Sequence, residues 1–453
     1  MQHIFSKFFI LFLIFSYSFF SQAQELGSPF IRNYTPKMYN AHVQNWDLLQ
    51  GKNGIMYFGN GDGIMEYDGV NFRMIVLPNN NTVRSMAIDE SGIIYIGSVS
   101  HFGYLKTDSI GRTIFVNFAE KLNEKDKDFT DVNGVITTKN AVFFRTSKKL
   151  FRVDKNQKIT VWNTDKAFGS AFVLQDKFFI RRSGTGLLMV ENDSLVPAKS
   201  SATFRKFFTG TYIPNDTQDE VYFPAQKARE TIEDYEGFLA YSPFKPYRDT
   251  TYLRKMPTEA DSFMIKNSIV SIVKLKNKNL VLAASDAGAV MMSPNGKLLQ
   301  TLSQETIGLQ NDAIRKMFTD RQQATWVVMN KGITRLELQN PISFWNEANS
   351  GLRGTPEAII RHKGTIYIAT HTGIFYIDKQ NKVIRIPPFA EQCWSLCNFI
   401  TPENDTLLMA GSSNGVYEIK DYKGIRTKFT NNAGRLVGAA FELYQSRKNP
   451  NTL

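Results

Sequence analysis

Along most of this chain, apolar residues come in short alternating runs, each closed by a cluster of turn-forming residues. Val43–Leu49 is one such run, and the polar turn Gln50-Gly51-Lys52-Asn53-Gly54 ends it. Ile55–Phe58, Ile64–Tyr67 and Phe72–Val76 follow, the last two joined across Asp68-Gly69. A period of two, punctuated by Gly and Asp, predicts antiparallel strands joined by hairpins, four to a unit. The same grammar returns at Val83–Ile88, Ile93–Ile96, Tyr104–Thr107 and Thr113–Phe118, with a turn at 89–92. No stretch sustains helical periodicity for about ten residues against this pattern.

The strands carry a recurring phrase. The second strand of a unit ends in a small residue, then come a polar loop, a Gly and an aliphatic residue. Tyr57-Phe58-Gly59-Asn60-Gly61-Asp62-Gly63-Ile64 is the first copy. Tyr95-Ile96-Gly97-Ser98 leads to Gly103-Tyr104, and later copies run 326–333, 367–374 and 408–416. The Gly, or Lys149 in its place, falls at 63, 103, 149, 186, 237, 288, 332, 373 and 415. These intervals surround the roughly 40–45 residue period of a four-stranded propeller blade. The small residue has a mechanical reason: blades crowd toward the ring axis, where a side chain would block the neighbouring blade. The Gly supplies a backbone conformation closed to most residues.

These phrases resemble the two-component regulator propeller repeat, of the form aromatic-Ile-Gly-Thr-x-x-Gly-Leu with an aspartate-containing turn behind it. Phe30-Ile31-Arg32-Asn33-Tyr34 resembles the start of that family, and the likeness covers about residues 28–450. The chain departs from the family in using Tyr more often than Trp before the Ile, and in degenerate units between 130 and 290. The resemblance implies an exported sensor region of a bacterial signalling protein. Such regions are usually followed by a triple-tyrosine domain, a transmembrane helix and a cytoplasmic output, commonly a histidine kinase. No kinase-type ATP lid, phosphoacceptor His or helix-turn-helix is found in this sequence, so the expected role of this chain is sensing.

Nine units exceed the four to eight blades of one ring. The expected fold is therefore all-β, with tandem β-propellers. Residues 24–340 are expected to form a complete seven-bladed ring, and 341–453 the first blades of a second. Phe30–Tyr34 reads as a lone outer strand that fastens the first ring by pairing with Thr334–Leu338. Ile342–Trp345 would open the second ring, and a further innermost strand is expected over 439–446. A stop there leaves an unpaired edge, which native sheets avoid, so the chain reads as a truncated piece of a longer protein.

The composition fits this picture. The chain has 453 residues, of which 42% are hydrophobic and 13% aromatic, which excludes a disordered or coiled-coil protein. Residues 1–23 read as a secretory signal peptide, with Lys7, the apolar run Phe8–Phe20 and Ser21-Gln22-Ala23 before the cleavage point. As a helix that run spans about 20 Å, short of a ~30 Å hydrocarbon core. Export to the periplasmic side of the inner membrane follows, with membrane attachment only through later regions. The net charge of +12 is spread along the chain. It is read as a solvated surface, with attraction to an anionic glycan as the sharper alternative and no nucleic acid as target. Cys393 and Cys397, the only two cysteines, are too far apart in a strand for a disulfide. They are expected as buried free thiols sharing a face with Ser395.

Candidate chemistry sits on the loops entering each first strand and on the loops between second and third strands, which share one face of a propeller. His42, Asp62, Arg84, His101, Arg145, Arg181, Asp286 and Asn330 are the candidate ligand contacts there. Arg and His suit carboxylates or anionic sugars through charge-assisted bonds, and Tyr39 and Phe102 suit sugar stacking. The plain alternative for each is an ordinary solvated loop residue. As ligand contacts, Arg84, Arg145 and Arg181 are expected to lose affinity on replacement by Ala while stability stays nearly unaltered. Asn60-Gly61-Asp62-Gly63 lacks the oxygen spacing of a calcium loop and reads as a tight turn. No cofactor, metal or catalytic residue is expected. The expected partner is a small molecule or carbohydrate, with an anionic one favoured by the arginines, and a homodimer remains open. The competing readings are a propeller glycosidase, lyase or lactonase, and an adhesion scaffold.

Overall fold

The computed structural model describes residues 27–453 except 79–80, 200, 228–235, 246–251, 380–381, 430–437 and 450–451. The expected signal peptide lies outside the described residues. The chain divides into two compact units, Pro29–Ile342 and a second made of Ser343–Leu453 with the residues up to Ser28.

Among the described residues, seven antiparallel sheets fill the first unit. The first is built in sequence order from Asn45–Gln50, Met56–Asn60, Gly63–Tyr67 and Phe72–Ile75, each strand hydrogen-bonded to the next. The other first strands are Val83–Ile88, Gly134–Thr137, Phe168–Leu174, Ile269–Lys274 and Ile314–Thr319. In the fifth sheet that strand is broken into Phe207–Phe208 and Ile213–Pro214, both pairing with Val221–Lys227. Apolar clusters fill the space between each sheet and the next. A seventh cluster joins the last sheet to the first, through Trp326, Val328 and Ile333 on one side and Leu48, Phe58 and Tyr67 on the other. The sheets are thus arranged in a cycle, with first strands neighbouring first strands around its centre.

The glycines show how tight that centre is. A Cβ on Gly59 would come within 2.9 Å of Val83 on the following sheet, and one on Gly97 within 2.6 Å of the Val132 carbonyl, just ahead of the third sheet's first strand. Real Cβ atoms do not approach that closely. The crowding expected of the small residue after the second strand is therefore present.

The cycle is fastened by the chain's beginning. Ile31–Tyr34 pairs antiparallel with Ile333–Leu336, with Ile31 opposite Leu336 and Tyr34 opposite Ile333. This is the pairing expected of Phe30–Tyr34, one residue shorter at its start and made with Ile333–Leu336 where Thr334–Leu338 was expected. Thr334 donates to Asn33 Oδ1 at 2.6 Å. Tyr34 is buried, stacked on Trp326 at 5.6 Å and edge-on to Tyr67 at 5.4 Å.

The second unit holds two further four-stranded sheets. Their first strands are Pro356–His362 and Cys393–Ile400. Ile342–Trp345 contributes only a single bridge, Phe344 with Ser28, rather than a full strand. The innermost strand expected over 439–446 is also absent. Ala440 donates its amide to Ser412 and the Gln445 side chain bonds the Ile400 backbone, but the segment is irregular. A first strand takes its ladder from the second strand of its own sheet, and the described residues beyond 446 offer none.

The two cysteines correct another expectation. The register of Cys393–Ile400 slips between Cys393 and Ser395, which inserts one extra residue and reverses the alternation of faces. Cys393 packs with Phe389, Leu408 and Tyr417, whereas Cys397 packs beside Met409 and Val416. Both are free thiols, the first buried and the second half-buried. Burial pushes the Cys393 thiol up to about 12, with the neighbouring Glu391 adding to it.

Two outcomes follow. Tyr34→Ala should destabilise the chain by about 3–5 kcal/mol and Tyr34→Phe by about 1 kcal/mol or less, since the ring contacts outweigh one hydroxyl. Urea denaturation measures both, and a near-neutral Tyr34→Ala would contradict the closing role of this strand. A thiol-labelling time course on folded protein at pH 8 should modify Cys397 first and Cys393 only on unfolding. Prompt labelling of Cys393 would contradict its burial.

Candidate functional site

The register slip seen at Cys393 recurs in the first unit. It falls between Asn45 and Asp47, Val83 and Ser85, Ile269 and Ser271, and Ile314 and Lys316. The extra residues are Trp46, Arg84, Val270 and Arg315. A bulge of this kind frees one residue from the ladder and re-aims its side chain. The next residue is committed to the following sheet. The Asp47 carboxylate accepts from the Leu48 and Met86 amides at 2.8 Å each. Ser85 donates to the Val132 carbonyl at 2.8 Å, and Ser271 accepts from the Met317 amide at 3.0 Å. Burial raises the Asp47 pKa against the opposing effects of Lys316 and these two amides.

Three freed side chains meet. The Arg84 guanidinium lies 3.9 Å from the centroid of the Trp46 ring, and that of Arg315 lies 5.0 Å from it. They arrive from the sheets on either side of the one that bears Trp46. Arg84 Nε donates to Asp131 at 3.1 Å. Arg315 Nε donates to Asn330 Oδ1 at 2.7 Å, which also accepts from Gln44 at 2.9 Å. Trp46 Nε1 is buried with no hydrogen-bond partner.

Of the residues singled out in the sequence, only Arg84 and Asn330 belong to this cluster. His42 and Asp62 form the rim of the first sheet. Asp62 accepts from the His42 backbone amide at 2.8 Å, and Asn60 donates to the His42 carbonyl at 2.7 Å, which makes the segment a tight turn. The His101 ring nitrogen lies 2.9 Å from the Asn81 amide and 3.0 Å from the Val99 carbonyl. Asp286 is exposed and accepts from Ser285 at 3.3 Å.

Arg145 and Arg181 are not solvated loop residues. Each sits at the end of a second strand, Ala141–Arg145 and Lys177–Arg182. Arg145 donates to the Asn133 carbonyl at 2.9 Å and the Phe168 carbonyl at 3.4 Å, and burial lowers its pKa to about 10. Arg181 is buried, donates to the Phe204 carbonyl at 3.1 Å and lies 5.1 Å from the Phe208 ring centroid. Burial lowers its pKa, while the nearby Tyr212 opposes that shift. These two arginines tie neighbouring sheets together, so their removal does not leave stability unaltered. Tyr39 and Phe102 are also withdrawn from sugar stacking: both are buried, Tyr39 bonded to the Val43 carbonyl and Phe102 packed on Phe144 and Phe151.

Trp46, Asp131 and Arg315 escaped the sequence reading. Trp46 and Arg315 stand in alternating runs, where a side chain is assigned to one face or the other. Only the bulge, which has no marker in the local residue types, gives them a third direction. The first strands thus carry Arg84 and Arg315, and the second strands carry Arg145 and Arg181. Among the described residues, Asp131 is the only carboxylate paired with any of them.

A scan against family models and a search of curated proteins find no match. Solved structures do match. The chain is similar to the extracellular domain assigned to a hybrid two-component system of B. thetaiotaomicron, BT3049. The TM-score is 0.63 at 14% identity, over 90% of this chain and 55% of that one. It is similar to the corresponding domain of BT4673, with a TM-score of 0.50 at 15% identity, over 89% of this chain and 54% of that one. Selenomethionine-substituted virginiamycin B lyase from Staphylococcus aureus matches at 0.50 and 10% identity, over 68% of this chain and 99% of that one. The likeness shows a shared β-propeller fold. Two of these structures are extracellular domains assigned to hybrid two-component systems, and this chain spans about half their length. No helix among the described residues is long and apolar enough to cross a membrane.

Replacing Arg181 by Ala should cost about 1–3 kcal/mol in urea denaturation, because it leaves the buried Phe204 carbonyl without its donor. A loss below about 0.5 kcal/mol would return Arg181 to the class of surface residues.

Proposed function

We propose that this chain is the exported, ligand-sensing region of a transmembrane signalling protein. In this reading residues 29–342 form a complete seven-bladed propeller and residues 343–453 begin a second. The sensing face is turned to the periplasm. The output, of histidine-kinase type, belongs to another part of the protein. The observation that carries the reading is the pair of arginines beside Trp46 in the first unit, Arg84 and Arg315, of which only Arg84 is paired with a carboxylate among the described residues. Its support from likeness is the fold shared with two sensor ectodomains. A ring of first strands brings residues far apart in sequence to one opening, and fixed guanidiniums there favour an anionic small molecule or carbohydrate.

The fold shared with virginiamycin B lyase keeps a propeller enzyme as the second reading. Acid–base chemistry on a glycan calls for two carboxylates flanking one bond. Asp62 is engaged by the His42 amide, and Asp286 stands on a different sheet, the sixth.

Isothermal titration calorimetry against a panel of neutral and acidic oligosaccharides, with chromatography of the mixtures afterwards, separates the readings. Binding of at least one acidic member without product formation is expected. Product formation supports the enzyme, and a panel with no binder contradicts sensing of this ligand class. Limited proteolysis should cut first near Gln339–Ile342, between units that each bury their own core, and early cutting inside 134–197 would contradict the division.

A further inference from the structure

The Trp46 cluster contains more donors than its neighbours can satisfy. Arg84 and Arg315 each commit Nε to the protein, to Asp131 and Asn330 respectively. Within the described residues each guanidinium is bonded only through Nε, and the buried Trp46 Nε1 has no partner there. A guanidinium carries five N–H donors and no acceptor. Both guanidiniums lie within 5.0 Å of the centroid of one indole ring, whose negative face attracts a cation. Asp131 balances one charge and, with its side chain 44% exposed, is screened by water. Arg315 makes no ion pair among the described residues.

Both guanidiniums are nevertheless held in place, by one Nε bond each and by the indole. These contacts restrict both guanidiniums, and a planar two-oxygen anion matches a guanidinium edge. We infer that Arg84 and Arg315, held on Trp46, form an oxyanion clamp at the centre of the first unit, which takes a carboxylate or sulfate group of the ligand. The inference rests on the sensing reading above and gives it a site and a chemical class. Arg145 and Arg181 fall outside the clamp, since their donors go to the carbonyls of Asn133, Phe168 and Phe204.

The test titrates the whole chain with three probes: trigalacturonate, citrate and inorganic sulfate. Heat is followed by calorimetry and Trp46 by intrinsic fluorescence, referenced to Trp46→Phe. Arg84→Gln and Arg315→Gln keep a planar polar side chain and remove the charge, and a thermal melt checks that each variant folds. The clamp predicts binding of at least one probe, a fluorescence change lost in Trp46→Phe, and a ~10–100-fold loss of affinity in each Gln variant. Binding of trigalacturonate alone assigns the oxyanion to a saccharide, and comparable binding of citrate or sulfate assigns it to the free anion. A probe that binds the parent and both folded Gln variants alike overturns the clamp while leaving ligand sensing standing. Failure of all three probes at several millimolar overturns the clamp, and if the oligosaccharide panel also fails, the sensing reading falls with it.

Discussion

Twisted sheets packed face to face around a ring leave two faces open unless the last meets the first. In this protein that meeting depends on Tyr34, which lies against Trp326 of the last sheet and Tyr67 of the first. The strand bearing it comes from the other end of the unit, so closure joins segments about 300 residues apart. Such a contact costs loop-closure entropy, but that cost grows only slowly with length. It also gives the last sheet its fourth strand, as in the others. Everything at the centre of the unit depends on this closure. Arg315 stands on the seventh sheet and Trp46 on the first, and they touch only because the cycle is complete.

The same crowding that closes the ring shapes its inner wall. First strands neighbour one another so tightly that Gly59 and Gly97 have no room for a Cβ. In four of the first strands the register slips by one residue near the crowded end. The recurring bulge divides the work between two adjacent residues: one is turned out of the ladder, and the next reaches the following sheet. Asp47, Ser85 and Ser271 do the second task with short polar bonds, and Trp46, Arg84 and Arg315 are left for the first. Function and stability are thus carried by neighbouring positions of one strand.

The fold was legible because its information is local and repeated. Period-two runs marked the strands to within a few residues, and the small residue and Gly marked each unit even where its strands were degenerate. The closing strand was legible from counting, since an outer strand without its own sheet has one place to go. The site was much less so. Arg181 reads like a loop residue by type and position, yet it is buried, because neighbouring sheets cover it. Trp46 reads like a core residue, yet a bulge aligns it with two arginines. The broken first strand of the fifth sheet, at 207–208 and 213–214, was likewise invisible, since irregular backbone keeps no period.

The central claim is that an anion is taken at the middle of the first unit, by residues of its last, first and second sheets. Hydrogen–deuterium exchange of the whole chain, with and without saturating trigalacturonate or citrate, tests it most directly. The amides of 44–47, 82–85, 131–132, 314–316 and 330 should gain protection together, with the sheets' outer strands unchanged. Protection confined to other segments, or none at these five while ligand is bound, would contradict the account.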